Sequence, residues 1–312
     1  MIFLLAFALI ICLIALSLSQ KYFIKNKIYD KVKKRSSHNV IATRSGGLSI
    51  FITLCLITSY LYFSSNQIFD FSILLPLGIL FTVGLYDDLY DVDFKLKFIF
   101  QLIAAKILID QGILMSNLNG FMGLYEIPYF FSQLISIFFL VFIINATNFT
   151  DGIDGLAITE TLKCILIVLV INFKSIFSGY YFLLAIIFLT MIPLYYYNFK
   201  KNNKVFLGDS GSLFLGGIVS VAILFFNQSE AINLMKVNAF SIALLCFTYP
   251  IIDTSYVIIK RVLNKKSPFI ADKSHLHHLL LARGLSHFQC LIILSGVSGI
   301  FQLLLLIYIT SY

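Results

Sequence analysis

Apolar runs about as long as a bilayer is thick recur from one end of this chain to the other, beginning with FLLAFALIICLIALSLS at 3–19. A helix needs roughly 20 such residues to cross the hydrocarbon core. The runs cover residues 1–20, 46–64, 71–86, 98–112, 129–145, 155–173, 180–198, 211–228, 238–259 and 289–311, with no polar globular stretch between them. Composition agrees: 59% of residues are hydrophobic and 12% charged, with mean hydropathy +0.93. Soluble domains are about half apolar and a quarter charged. A closed β-barrel also satisfies its backbone in lipid, but its strands alternate apolar and polar residues over about ten positions, and no such alternation occurs. The expectation is an all-α polytopic integral membrane protein, a single domain over 1–312, with about ten transmembrane helices.

Cytoplasmic loops carry an excess of Lys and Arg. With both termini outside, the inner connectors hold Lys21, Lys25, Lys27, Lys31, Lys33, Lys34, Arg35 and Arg44, then Lys95 and Lys97, then Lys200, Lys201 and Lys204. The last holds Lys260, Arg261, Lys265, Lys266, Lys273 and Arg283. Lys174 and Lys236 fall in outer loops, and Lys106 and Lys163 within spans, where snorkelling explains them. The first span lacks a basic segment before it, so it reads as an uncleaved helix rather than a secretory signal. The five cysteines form no CxxC pair and read as small core hydrophobes. A net charge of +8 on the inner face suits anionic lipid.

The same topology sorts the acids. Asp87, Asp88, Asp91 and Asp93 in GLYDDLYDVD end the third span, Asp151 and Asp154 in TDGIDG end the fifth, and Asp209 in FLGDSGS opens the eighth. His275, His277 and His278 in SHLHH lie in the last inner connector. Ionisable groups at membrane depth are costly and mark function. Carboxylates packed together repel one another unless a cation sits among them. Asp and Asn oxygens with little Cys suit a hard ion, Mg2+ before Zn2+. The pattern therefore predicts a metal-and-phosphate site on the cytoplasmic face. Duller readings exist for each motif: a solvated helix end for DDLYD, chance sequons at Asn145 and Asn148, and zinc ligation by the histidines, against which phosphate contact is favoured with Lys273 alongside.

Taken in order, TRSGG at 43–47, DDLYD at 87–91, NATNFTDGIDGLA at 145–157, VFLGDSGS at 205–212 and SPFIADKSHLHH at 267–278 resemble the polyprenyl-phosphate N-acetylhexosamine-1-phosphate transferase family. The spaced histidines look like its undecaprenyl-phosphate GlcNAc-1-phosphate transferase branch. One departure is Ile41, Ala42 and Thr43, where the family commonly has prolines; that leaves the shape of the first inner loop in question.

The resemblance implies that the phosphate of a polyprenyl phosphate attacks the β-phosphorus of a UDP-sugar and UMP leaves. It implies Mg2+ as cofactor, with Mn2+ as an alternative, held by Asp209 with Asn148 as oxygen partner. Asp87 is the candidate for deprotonating or orienting the lipid phosphate, with Asp88 beside it, while Asp151 and Asp154 hold the nucleotide-sugar. Lys97 meets the diphosphate, Phe206 stacks on uracil, Asn198 lies near a nucleotide contact, and His275, His277 and His278 touch phosphate or sugar. Asp253 is motif-like, with Arg261 as an alternative structural partner. The implied partners are UDP-N-acetylhexosamine, polyprenyl phosphate and membrane lipids, with no nucleic acid; a homodimer is one option. The implied location is the inner, cytoplasmic membrane, as a multi-pass protein. GlcNAc is the default donor sugar, and GalNAc, FucNAc and QuiNAc stay open. The rivals are a membrane prenyltransferase with aspartate-rich motifs, a CDP-alcohol phosphotransferase, whose motif needs an Arg missing after Leu156 and Ala157, and a transporter.

Overall fold

Helices follow the apolar runs. In the computed structural model, which describes residues 2–30, 42–64, 68–176, 179–229, 237–267 and 274–310, they are α1 (Ile2–Lys25), α2 (Gly46–Phe63), α3 (Leu74–Tyr90), α4 (Phe94–Asp110), α5 (Tyr129–Thr150), α6 (Leu156–Ile171), α7 (Gly179–Asn198), α8 (Gly208–Asn227), α9 (Ala239–Leu263), α10 (Leu276–Ala282) and α11 (His287–Thr310). Among the described residues eight are long and apolar enough to cross a membrane: α1, α2, α3 with the 3-10 turn before it, α5, α7, α8, α9 and α11. α4 and α6, with 17 and 16 residues, occupy the places of the expected spans 98–112 and 155–173. The protein is thus an all-α polytopic membrane protein. Lys31, Lys33, Lys34, Arg35, Ile41, Lys236 and Lys273 lie outside the described residues.

α8 is the axis of the bundle. It is apolar all round, buried over nearly its whole length, and packs chiefly against α3 and α5, as expected for a helix with no lipid-facing side. Small residues make the contact close. Gly84 of α3 is so near the α8 backbone that a Cβ there would collide with the carbonyl of Asp209. Contact at that point sets the height of Asp209 against the end of α3, where Asp87 and Asp88 sit.

Two short strands, β1 (Ala42–Thr43) and β4 (Lys204–Val205), pair in parallel just before α2 and α8. The ladder continues as Phe206 N–H to Thr43 O at 2.8 Å, Gly46 N–H to Phe206 O at 3.0 Å and Gly47 N–H to Leu207 O at 2.9 Å. Ala42 and Thr43, the positions without the family's prolines, thus join this ladder, which draws Arg44 towards the α8 N-terminus. A second pair, β2 (Asn117–Phe121) and β3 (Leu124–Glu126), forms an antiparallel hairpin at the other end of the bundle that the hydropathy pattern did not announce.

α9 is bent. Phe247 leaves helical geometry (φ −142°, ψ 47°), one turn before Pro250. Proline cannot donate to the carbonyl four residues back, and that carbonyl, Cys246 O, accepts from Gln302 Nε2 of α11 at 3.3 Å. The bend swings the second half of α9 towards α5. Gly84→Val is expected to lower the thermal midpoint in detergent by several degrees, because overpacking costs about 1–3 kcal/mol. A thiol-reactive dye measures it, since Cys12, Cys164, Cys246 and Cys290 are buried. Gly296→Ala, which meets open space, should stay within about 0.5 kcal/mol of wild type.

Candidate active site

The first turn of any helix has backbone N–H groups without intrahelical partners, at the positive end of its dipole. At α8 these are taken by Asp88, whose Oδ1 accepts from Asp209 N–H and Oδ2 from Ser210 N–H, both at 2.9 Å. Gly208, at φ +76°, makes the turn; a side chain there would run into the Asp88 carboxylate, so the position needs glycine for both conformation and room. On the other side, Arg44 Nη1 lies 3.6 Å from Asp88 Oδ1 and Nη2 bonds Asp30 Oδ1 at 2.6 Å. Burial works against the Arg44 charge, but Asp30, Asp88 and Asp209 outweigh it and raise its pKa.

Asp209 and Asp87, on α8 and α3, converge on one ammonium. Lys97 Nζ, from the first turn of α4, is 2.9 Å from Asp209 Oδ2 and 3.1 Å from Asp87 Oδ2. Asp87 Oδ1 accepts from Val92 N–H at 2.7 Å. The remaining acids of GLYDDLYDVD have structural roles. Asp91, at φ +53°, ends α3 in the left-handed conformation, and Asp93 caps α4 by accepting from Lys95 N–H. Asn148 Nδ2 donates to Ser212 Oγ at 2.8 Å, tying α5 to α8 one turn below Asp209. Asp151, in the loop after α5, is partly buried; burial first, then Asp209 and Asp88, push its carboxyl well above the usual carboxylate range. Among the described residues no three His, Cys, Asp or Glu groups form a ready-made cage. The two carboxylate oxygens around Lys97 are the hard donor pair that a divalent ion needs, with the ammonium standing at a cation's place.

Asp154 faces other partners. Its Oδ2 bonds Lys204 Nζ at 2.6 Å and lies 3.1 Å from His287 Nδ1. Burial would raise its pKa, but hydrogen bonds from His287 and Lys204 and the charge of Lys204 outweigh that and lower it. The Lys204 ammonium also stands 5.3 Å from the centre of the Phe206 ring. Asn198 is 3% exposed, and both ends of its amide are engaged: Oδ1 accepts from Gly155 N–H at 2.7 Å, and Nδ2 donates to Val205 O at 2.9 Å. It straps the TDGIDG loop to β4.

Asp253 accepts from Leu276 N–H at 2.7 Å and pairs with His275 Nδ1 at 2.7 Å, so it anchors the histidine connector. His277 Nδ1 meets the Tyr249 hydroxyl at 3.2 Å, and its buried Nε2, without a partner in the described structure, presses on Gly152. His278 packs against His277 with the rings tilted at 50°, centres 4.3 Å apart. Asp87, Asp88, Asp209, Asn148 and Lys97 thus form one group, and Asp154, Phe206, Asn198 and the histidines a second beside it, at the same end of the bundle. Sequence reasoning passed over Asp30, Lys204 and His287. The charge of Lys204 was read only as topology, and Asp30 and His287 stand outside every motif.

An apolar groove of about 600 Å3 opens next to the first group, between α4, α5 and the bent half of α9. Phe98, Val141, Phe142 and Ile258 line it, and Asn145 and Phe149 lead from it towards Asn148.

A helical membrane bundle with paired carboxylates at one end and a greasy groove beside them defines an integral membrane enzyme, and comparison with known proteins gives its kind. Residues 70–227 match the profile of glycosyl transferase family 4, and the chain belongs to that family. It is 30% identical over 312 residues to a probable undecaprenyl-phosphate N-acetylglucosaminyl 1-phosphate transferase of Bacillus subtilis, covering 95% of this chain and 81% of that one. It is 29% identical to an undecaprenyl-phosphate alpha-N-acetylglucosaminyl 1-phosphate transferase of Thermotoga maritima (90% and 81% covered) and 30% identical to a decaprenyl-phosphate N-acetylglucosaminephosphotransferase of Mycolicibacterium smegmatis (84% and 70% covered). The family read from the motifs is borne out.

Burial, then the neighbouring His278, His275 and His287, hold the His277 pKa well below the ordinary imidazole value. The folded state therefore binds fewer protons than the unfolded one. The associated stability is present above the unfolded pKa of about 6.5 and is lost as pH falls below it. Wild-type protein should lose thermal midpoint between about pH 7.5 and 5.5, and His277→Gln should lose less over the same interval, as measured by parallel melting curves.

Proposed function

We propose that this protein transfers N-acetylhexosamine 1-phosphate from a UDP-sugar to polyprenyl phosphate, on the cytoplasmic face of the membrane. A lipid-phosphate oxygen bonds to the β-phosphorus, the bond from that phosphorus to the bridging oxygen breaks, and UMP leaves. The observation that carries this reading is the convergence of Asp87 and Asp209 on Lys97 beside the apolar groove. Relatives named for undecaprenyl and decaprenyl phosphate and for N-acetylglucosamine support the acceptor and the default sugar.

Two phosphate-bearing substrates repel, and their meeting needs positive charge at the reacting oxygens. Bound Mg2+, or Mn2+ in its place, supplies that charge at the diphosphate. Asp209 would hold it, with the Asn148 Oδ1, whose amide nitrogen Ser212 already engages, as second oxygen. Lys97, four residues before Gln101, is within reach of any anion at Asp87 and Asp209, and turns to the diphosphate when one arrives. Asp87 accepts the proton of the lipid phosphate or orients its oxygens. Asp88 acts through the backbone, holding Asp209 by its own N–H. Asp151 and Asp154 serve the nucleotide-sugar, Phe206 offers a ring to the base, His275, His277 and His278 close the phosphate side, and Asn198 shapes the loop that carries Asp154. The isoprenoid chain lies in the groove, reached sideways from the lipid.

In detergent with UDP-GlcNAc, polyprenyl phosphate and Mg2+, UMP release should be seen and should stop on chelation. Asp209→Ala and Asp87→Ala should each lose at least about 10²-fold in kcat, the scale of a lost electrostatic contact to a transition state. Near-wild-type turnover in both rejects the site. Val141→Trp should fill the groove and raise KM for the polyprenyl phosphate with little change in KM for the UDP-sugar, which steady-state titration of each substrate separates.

A further inference from the structure

We propose that His287 is a positioning residue for the donor half of the site: it fixes the Asp154 carboxylate, together with Lys204, so that one oxygen is held by the protein and the other is presented to the nucleotide-sugar. The proposal rests on the transferase reading above and names a residue outside every motif of the sequence.

Both partners act on the same atom. Lys204 Nζ at 2.6 Å and His287 Nδ1 at 3.1 Å converge on Asp154 Oδ2, with the Asp154 backbone N–H 3.4 Å from the same ring nitrogen. In the proposed arrangement the imidazole carries its proton on Nδ1, where it donates to the carboxylate. Among the described residues the contacts of this carboxylate all fall on Oδ2, so Oδ1 is the oxygen left for an N–H or O–H of a ligand. Two donors from different elements, β4 and the start of α11, fix the plane of a carboxylate that one donor would leave free to rotate. The neighbouring residues are locked by packing: Ile153 and Leu156, on either side of Asp154, bury against Tyr249, Cys290 and Leu291.

The position of His287 depends in turn on how deep α11 sits. Most of that helix faces outward and is apolar; Ile292, Val297, Ile300 and Leu304 are exposed, and lipid does not hold such a face in register. A polar lock does. Lys163 Nζ of α6 bonds Ser298 Oγ at 2.5 Å, Ser295 O at 3.3 Å and Glu160 Oε1 at 2.9 Å, with Glu160 fully buried. Breaking this lock would strand buried charge, which is costly. Ser298 lies about 16 Å along the helix from His287, and a slip of one turn would withdraw the imidazole from Asp154 by about 5.4 Å. Lys163 and Glu160, without a part in the reaction, thereby acquire one in holding α11.

The test uses the purified full chain, with KM and kcat for UDP-GlcNAc, the UDP Kd by calorimetry and the thermal midpoint. His287→Ala is expected to raise KM and the UDP Kd about tenfold, the effect of one good hydrogen bond, with kcat nearly unchanged and the thermal midpoint within a few degrees. His287→Asn, whose Nδ2 can donate from near the Nδ1 position, should recover most of the loss. Wild-type KM in His287→Ala overturns the proposal. So does an equal loss in the Ala and Asn variants that tracks a fall in thermal midpoint, which is a structural role alone. A wild-type protein that binds UDP but releases no UMP defeats the transferase reading by itself, because the same comparison is then read from the UDP Kd.

Discussion

The contact on which this structure depends is a carboxylate against the start of a buried helix. Asp88 takes two N–H groups at the head of α8, and one of them belongs to Asp209. The helix behind that head is the most enclosed in the bundle, so its N-terminal groups have little water to turn to, and an unpaired donor there is expensive. Asp88 removes that cost and fixes the height of Asp209 against Asp87 in the same act. Gly208 and Gly84 supply the clearance, and the β1–β4 ladder brings Arg44 alongside.

Charge balance explains why so many acids can share one end of the bundle. Lys97 serves Asp87 and Asp209, Arg44 serves Asp30 and Asp88, and Lys204 with His287 serves Asp154. Asp151 has burial first, then Asp209 and Asp88, acting against its charge, and its pKa is raised. The arrangement separates two groups of charge: one opens to the apolar groove, and the other lies under the histidine connector. Family 4 membership and the names of the relatives agree with transfer of an N-acetylhexosamine 1-phosphate to a polyprenyl phosphate.

Much of this was legible in the chain. The helices α1, α2, α5, α7, α8, α9 and α11 follow the hydropathy runs within a few residues, because burial in lipid needs length and apolarity, and both are local properties. The motif acids were legible as a set, since ionisable residues at span ends are too costly to be idle. Their separate roles were not. GLYDDLYDVD reads as four similar aspartates, yet in space they are a site acid, a cap on another helix, a left-handed helix end and a cap on the next helix. Asn198 looked like a nucleotide contact and is a strap inside the protein; Asp253, with Arg261 as a candidate partner, holds His275.

What the sequence determined by itself is the membrane class, the family and the residues with chemistry to offer, since these depend on composition and on spacing along one chain. The tertiary structure alone decided which acid meets which cation, that Lys204 and His287 converge on Asp154, and that bent α9 opens a groove beside Lys97. Among those contacts, Lys97 with Asp209 and Asp154 with His287 join residues 112 and 133 positions apart, and their energies depend on distances that only the packed bundle defines.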